Sequence, residues 1–95
     1  MDDLVHWKIE VKGIVQGVGY RARCTEAASE FNLVGNVRND PHTPNTVLIE
    51  VQGTKAQVDQ FMRTISGRRG LSDAKSVQVV GESTVNPELR EFSSR

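Results

Sequence analysis

From His6 to Lys12 the chain alternates, with Trp7, Ile9 and Val11 apolar and His6, Lys8, Glu10 and Lys12 polar or charged. A period of two predicts a strand with one face in a core and one in water. The period then changes. From Arg21 to Val34 the apolar Cys24, Ala27, Ala28, Phe31 and Val34 recur on one face of a helix, and Gly35 is expected to stop it as a left-handed cap. Roughly 14 helical residues span about 21 Å and seven strand residues about 23 Å, so the helix can pack back along the strand.

Asn36 to Asn39 reads as a short strand, ended by the turn residues Asp40, Pro41, Pro44 and Asn45. Thr46 to Gln52 places Val47, Ile49 and Val51 on one face, and Gly53 is expected to end it. Thr54 and Gln57 then have the spacing of a capping box, ahead of a helix whose apolar face is Ala56, Val58, Phe61, Met62 and Ile65 and which closes at Gly67. After a polar turn from Arg68 to Ala74, Ser76 to Val80 reads as a fourth strand with Val77 and Val79 inward. The tail from Gly81 to Arg95 is polar apart from Val85, Leu89 and Phe92, leaving room for one short edge strand near Phe92.

The resulting order, βαββαβ, predicts an α+β, ferredoxin-like sandwich: two helices on one face of a four- to five-stranded antiparallel sheet, with strand order 4-1-3-2. Residues 1–95 are expected to form a single domain, with a core over about 6–80 and a polar tail over 81–95.

Composition narrows the partners. Lysine plus arginine number 12 and aspartate plus glutamate 12, so there is no overall basic field to hold nucleic acid, and a small anion is the better match. The cluster Arg63, Arg68 and Arg69 reads as a solvated turn, and Arg23 and Arg38 as exposed. No stretch approaches the 18 apolar residues of a membrane span, and Met1 to Lys8 lacks the features of a signal peptide, so a cytoplasmic protein with no membrane partner is expected. A monomer is expected. His6 and His42 stand 36 positions apart with no ligand cluster beside them, which argues against a metal, and the lone Cys24 reads as a small buried hydrophobe.

The candidate chemistry lies between the first strand and the first helix. Gly13, Gly17 and Gly19 fall within GIVQGVGYR, Gly13 to Arg21, where the backbone can take positive φ and aim several N–H groups at one point. The segment ends at a helix N-terminus, whose unpaired amides and positive dipole end suit an anion. Arg21 adds a permanent charge and a planar fork of donors at that end. An arginine in the first turn opposes the dipole, which a bound anion would offset. A right-handed crossover makes strands 1 and 2 parallel with one strand between them, so Asn39 ends about 10 Å from the glycine loop, on the helix-covered face that it shares with Val37.

Other readings fit less well. Gly17 to Ala22 matches the dinucleotide pattern G-x-G-x-x-A, but that fold needs a longer parallel sheet, and no Gly-Lys-Ser/Thr follows for a nucleotide-triphosphate loop. Of the five aromatics, Trp7, Tyr20, Phe31, Phe61 and Phe92, two lie on helix core faces, which leaves no base-stacking platform. Tyr20 is expected to pack against the loop.

GIVQGVGYR and GNVRN, Gly35 to Asn39, resemble the acylphosphatase family's glycine loop with its catalytic arginine and the segment that ends in its catalytic asparagine. The correspondence runs from about Trp7 to Val80. The resemblance implies hydrolysis of the carboxyl-phosphate bond of a small-molecule acyl phosphate, with no metal or organic cofactor. Arg21 and the backbone of Val15, Gln16, Gly17, Val18, Gly19 and Tyr20 would hold the phosphoryl group, Asn39 would orient the attacking water, and a phosphate oxygen of the substrate would take the water's proton. Asn36 stands where the family commonly has tryptophan or another large residue, and the loop from Asp40 to Thr46 is about two residues longer than usual. The rival reading is a non-catalytic module on the same fold that binds a small anion.

Overall fold

The computed structural model describes residues 3–95. Its elements run β1 (Leu4–Ile14), α1 (Tyr20–Glu30), β2 (Val34–Asn39), β3 (Thr46–Thr54), α2 (Lys55–Ile65), β4 (Gly67–Arg69), β5 (Ser72–Glu82) and β6 (Phe92–Ser94). The strands form one six-stranded sheet in the order β4-β5-β1-β3-β2-β6. Its central four strands follow the expected order 4-1-3-2, and two helices pack on one face, which is the ferredoxin-like arrangement. Ile9, Val11, Val37, Val47, Ile49 and Val51 all point to that face and are buried against Val58, Phe61 and Ile65 of α2 and Cys24, Ala27 and Ala28 of α1.

The capping box forms: the Gln57 N–H donates to Thr54 Oγ1 at 3.2 Å and the Thr54 N–H to Gln57 Oε1 at 3.1 Å. Two orphan donors are satisfied, and α2 starts where the spacing placed it. Ala56, assigned to the apolar face, is exposed.

Several expectations need correction. α1 ends at Glu30, short of Val34, and its cap is not Gly35. Asn32 takes the left-handed position at φ 58°, while the Leu33 N–H reaches Ala28 O at 2.9 Å and the Asn32 N–H reaches Ser29 O at 3.3 Å, a Schellman ending. Asparagine is one of the few residues that adopts this conformation cheaply, so the helix stops early and Val34 joins β2. Gly35 lies inside β2 at φ 136°, where a Cβ would collide with the main-chain oxygen of Glu50 on β3. Gly53 likewise falls within β3.

The stretch read as a polar turn from Arg68 to Ala74 is a hairpin, β4 and β5 joined at Gly70 and Leu71, with Gly70 at φ 61°. β5 therefore begins at Ser72 and runs to Glu82, well beyond Ser76 to Val80. Val77 and Val79 pair with the core residues Val11 and Ile9, but β4 covers β5 only from Ser72 to Ala74, and on the open edge beyond it Val79, expected inward, is 39% exposed. The sheet has six strands where four or five antiparallel ones were expected, and β6 runs parallel to β2. Phe92 of β6 packs against Phe61 of α2, ring centroids 6.1 Å apart.

The segment between β5 and β6 crosses to the far edge on hydrogen bonds: Ser83 N–H to His6 O at 2.8 Å, Asn86 N–H to Gln52 Oε1 at 2.7 Å, Gln52 Nε2 to Asn86 O at 3.0 Å, and Gly35 N–H to Glu91 O at 2.9 Å. Each sheet strand it passes supplies a partner.

Candidate active site

Gly17 and Gly19 take φ 72° and 79°, and Gly19 is the N-cap of α1 in left-handed geometry without a side-chain cap. Positive φ at both lets five residues turn the chain from the end of β1 into the helix axis. Among the described residues the backbone N–H groups from Val15 to Tyr20 donate no hydrogen bond, so a run of donors without partners precedes the helix. The Gln16 side chain fixes this loop from the other side, donating to Thr46 O at 2.8 Å and Thr43 O at 3.4 Å. Gln16 was singled out for its backbone; its amide also ties the glycine loop to the connection that follows Asn39.

Arg21 stands in the first turn of α1 and lines an open cavity of about 560 Å³ with Val15, Gly17, Gly19, Tyr20 and Ser94. Its Nη1 donates to the main-chain oxygen of Arg95 at 2.6 Å, and the Arg95 N–H donates to Val37 O at 2.9 Å. One residue thus links the guanidinium to β2, two positions before Asn39. Among the described residues the other four guanidinium donors have no hydrogen-bond partner.

Asn39 is the last residue of β2, half-buried, and its Oδ1 is buried without a hydrogen-bond partner among the described residues. A buried amide oxygen left unpaired costs on the order of 1–3 kcal/mol. Such a cost is tolerated where a ligand or water completes the set.

Tyr20 is 1% exposed, with its hydroxyl donating to Ile65 O at 2.9 Å, and burial raises its pKa well above the ordinary phenol value. Its ring belongs to the core and its hydroxyl is anchored to the end of α2. Burial also pushes the Cys24 thiol up to about 12, which fits a hydrophobe and not a nucleophile.

Arg23 corrects the reading of an exposed cation: it is 7% exposed. Its Nη1 donates to Gly67 O at 2.9 Å and Ser72 Oγ at 3.2 Å, its Nη2 to Thr64 O at 3.1 Å and Ser66 O at 2.7 Å, and its Nε has no partner among the described residues. The guanidinium also lies 5.6 Å from the Tyr20 ring centroid. The signal in the sequence was position, since Arg23 precedes Ala27 by four and therefore shares the buried stripe. Arg38 is exposed, as expected. On the sheet's uncovered face, Asn36 donates to Glu50 at 3.2 Å and His6 pairs with Glu50 at 2.5 Å. Asn36, at the position where the family's large residue was expected, thus serves that cluster and not the loop.

The chain can now be compared with known proteins. A profile for acylphosphatase matches residues 7–94. The chain belongs to the acylphosphatase family. An acylphosphatase from Chlorobaculum tepidum is 39% identical over 84 residues, covering 88% of each chain. Another, from Oceanobacillus iheyensis, is 47% identical over 60 residues, which span 63% of this chain and 64% of that protein. The crystal structure of acylphosphatase from Bacillus subtilis superposes with a TM-score of 0.85 at 26% identity, over 96% of this chain and 98% of that one. The activity that goes with the family is hydrolysis of acyl phosphates, and the fold is that of its solved member.

Proposed function

We propose that this acylphosphatase works through Arg21, Asn39 and the backbone amides of Val15, Gln16, Gly17, Val18, Gly19 and Tyr20. The observation that carries the assignment is the orphaned Oδ1 of Asn39, on a strand that Arg95 ties to the Arg21 guanidinium. An amide oxygen with no donor of its own can accept a hydrogen bond from a water and so fix its orientation. The free amides and the arginine fork bind the three phosphoryl oxygens and offset their charge.

An acyl phosphate has a good leaving group, so positioning and charge neutralisation supply most of what catalysis needs. The water oxygen forms a bond to phosphorus as the bond to the acyl oxygen breaks, and the carboxylate leaves with the electron pair. One water proton stays on the new phosphate oxygen and the other passes to a phosphoryl oxygen, giving carboxylate and dihydrogen phosphate. No side chain is required as a general base.

The chain acts as one domain, as a monomer in the cytoplasm, without metal or nucleic acid. The test is phosphate release from benzoyl phosphate in excess EDTA, with Arg21→Ala as control. Turnover in wild type that falls at least a hundredfold in the control supports the assignment. Equal release from both, or wild-type activity that appears only with added zinc or magnesium, overturns it, and tight phosphate binding without turnover favours the non-catalytic binder.

A further inference from the structure

A second cleft, of about 240 Å³, opens on the other side of the glycine loop, between Val18 and Gly19 and the β4–β5 turn. It shares Gly19, Ala22 and Glu26 with the cavity that holds Arg21, so the two meet at the start of α1. Leu71, at the tip of the turn, is 76% exposed, the most exposed of the large apolar side chains described. Nothing in the fold explains an apolar residue held out beside an anion loop.

The sheet gives the cleft a direction. Asn39 lies on β2, to one side of β1, and the β4–β5 hairpin lies on the other. Ile14 pairs with Asp73 and Asn39 with Val47, whose partner on β1 is Val11, so the glycine loop, Asn39 and the turn at Leu71 share one end of the sheet. In-line displacement places the attacking water and the leaving oxygen on opposite sides of phosphorus. With the water held from the β2 side, the leaving carboxylate points toward β5, into this cleft.

We infer that the cleft between Val18 and Leu71 receives the acyl group, and that Leu71 is the residue through which this chain distinguishes an aryl acyl group from acetyl. This rests on the acylphosphatase mechanism above and adds the determinant of substrate choice. Val18 and Leu71 supply the apolar contact, Gly19, Ala22 and Gly70 keep the walls low, and the ion pair of Arg69 with Glu26, at 3.6 Å, stands at the wet rim.

The test compares kcat/KM for benzoyl and acetyl phosphate in wild type, Leu71→Ser and, as control on another surface, Val80→Ser; both substituted side chains are exposed, so folding is not at stake. Covering part of a leucine against an aryl ring predicts a benzoyl-to-acetyl ratio that falls about five- to tenfold in Leu71→Ser and stays within twofold in Val80→Ser. The drop should fall on benzoyl phosphate, and inhibition by phenylphosphonate should weaken with it while inhibition by inorganic phosphate holds. An unchanged ratio in Leu71→Ser, with both substrates still hydrolysed, overturns the acyl cleft and leaves the mechanism standing. If wild type hydrolyses neither substrate, the mechanism fails and the acyl cleft falls with it.

Discussion

Replacing Asn39 with alanine separates catalysis from folding in a way that the structure makes quantitative. The amide oxygen is buried and unpaired among the described residues, and its amide nitrogen has no partner there either. Removing it relieves a desolvation cost of roughly 1–3 kcal/mol. Against that stands the space left behind, on the order of 1 kcal/mol for a half-buried site that can refill with water. The variant should therefore be between neutral and about 2 kcal/mol more stable. For a domain of this size each kcal/mol moves Tm by about 4–8 °C. Catalysis should go the other way, since losing one preorganised hydrogen-bonding group costs about 10²- to 10³-fold in kcat. The assay pairs denaturant unfolding with turnover of an acyl phosphate and competition by inorganic phosphate, whose affinity should stay within a few-fold. A variant destabilised by more than about 1 kcal/mol that keeps its turnover within tenfold would refute the reasoning, because Asn39 would then be a structural residue with a partner yet unseen.

Arg21 should behave differently. Arg21→Gln should weaken phosphate inhibition as well as kcat, and Arg21→Lys should be nearly as poor because an ammonium cannot reproduce the planar fork; phosphate inhibition constants on folded variants decide it. Arg23→Met should cost stability, about 2–4 kcal/mol in urea unfolding, by orphaning the carbonyls of Thr64, Ser66 and Gly67. A methionine variant as stable as wild type would show that the buried guanidinium contributes nothing net. Glu50 predicts a pH dependence: burial opposes its ionisation, but hydrogen bonds from His6 and Asn36 outweigh that and hold its carboxyl below the ordinary value of 4.5. A lowered pKa contributes stability that is present above the unfolded value and is lost as pH falls through the folded one, so melts of wild type and Glu50→Gln should differ near pH 7 and converge as the pH falls below the folded-state value.

The parts of the fold that were legible in the sequence are those where local and global preferences agree. Alternation in β1 and β3 and the capping box of α2 specified their elements outright, because the same residues that favour the local geometry also face the core. The C-terminus of α1 was misread because Gly35 and Asn32 compete for one signal. Both tolerate positive φ, and the choice fell to the packing of Gly35 against Glu50 across β2 and β3, a contact between residues 15 positions apart. The hairpin at Gly70 and Leu71 was hidden for a related reason, since its first strand is only three residues long and carries no alternation. β6 has three residues and one apolar side chain, and its pairing with β2 depends on a connection that must first cross the sheet.

The candidate site was legible because it is made of backbone and of residues at element ends, where sequence spacing fixes position. Glycines at 17 and 19 set the loop, and β2 sets Asn39. What spacing could not supply is the framework that holds them in register. Gln16 reaches Thr46, Arg23 reaches the end of α2 and the β4–β5 hairpin, and Arg95 joins Arg21 to Val37, over separations of 30, 41 to 49, and 74 and 58 residues. Each of these is a polar side chain or a chain end, with no periodicity to betray it. Rate in such a site depends on how well donors are fixed before the substrate arrives. The residues with the clearest sequence signature are therefore the ones proposed to touch substrate, and those that fix their positions become visible only in the folded chain.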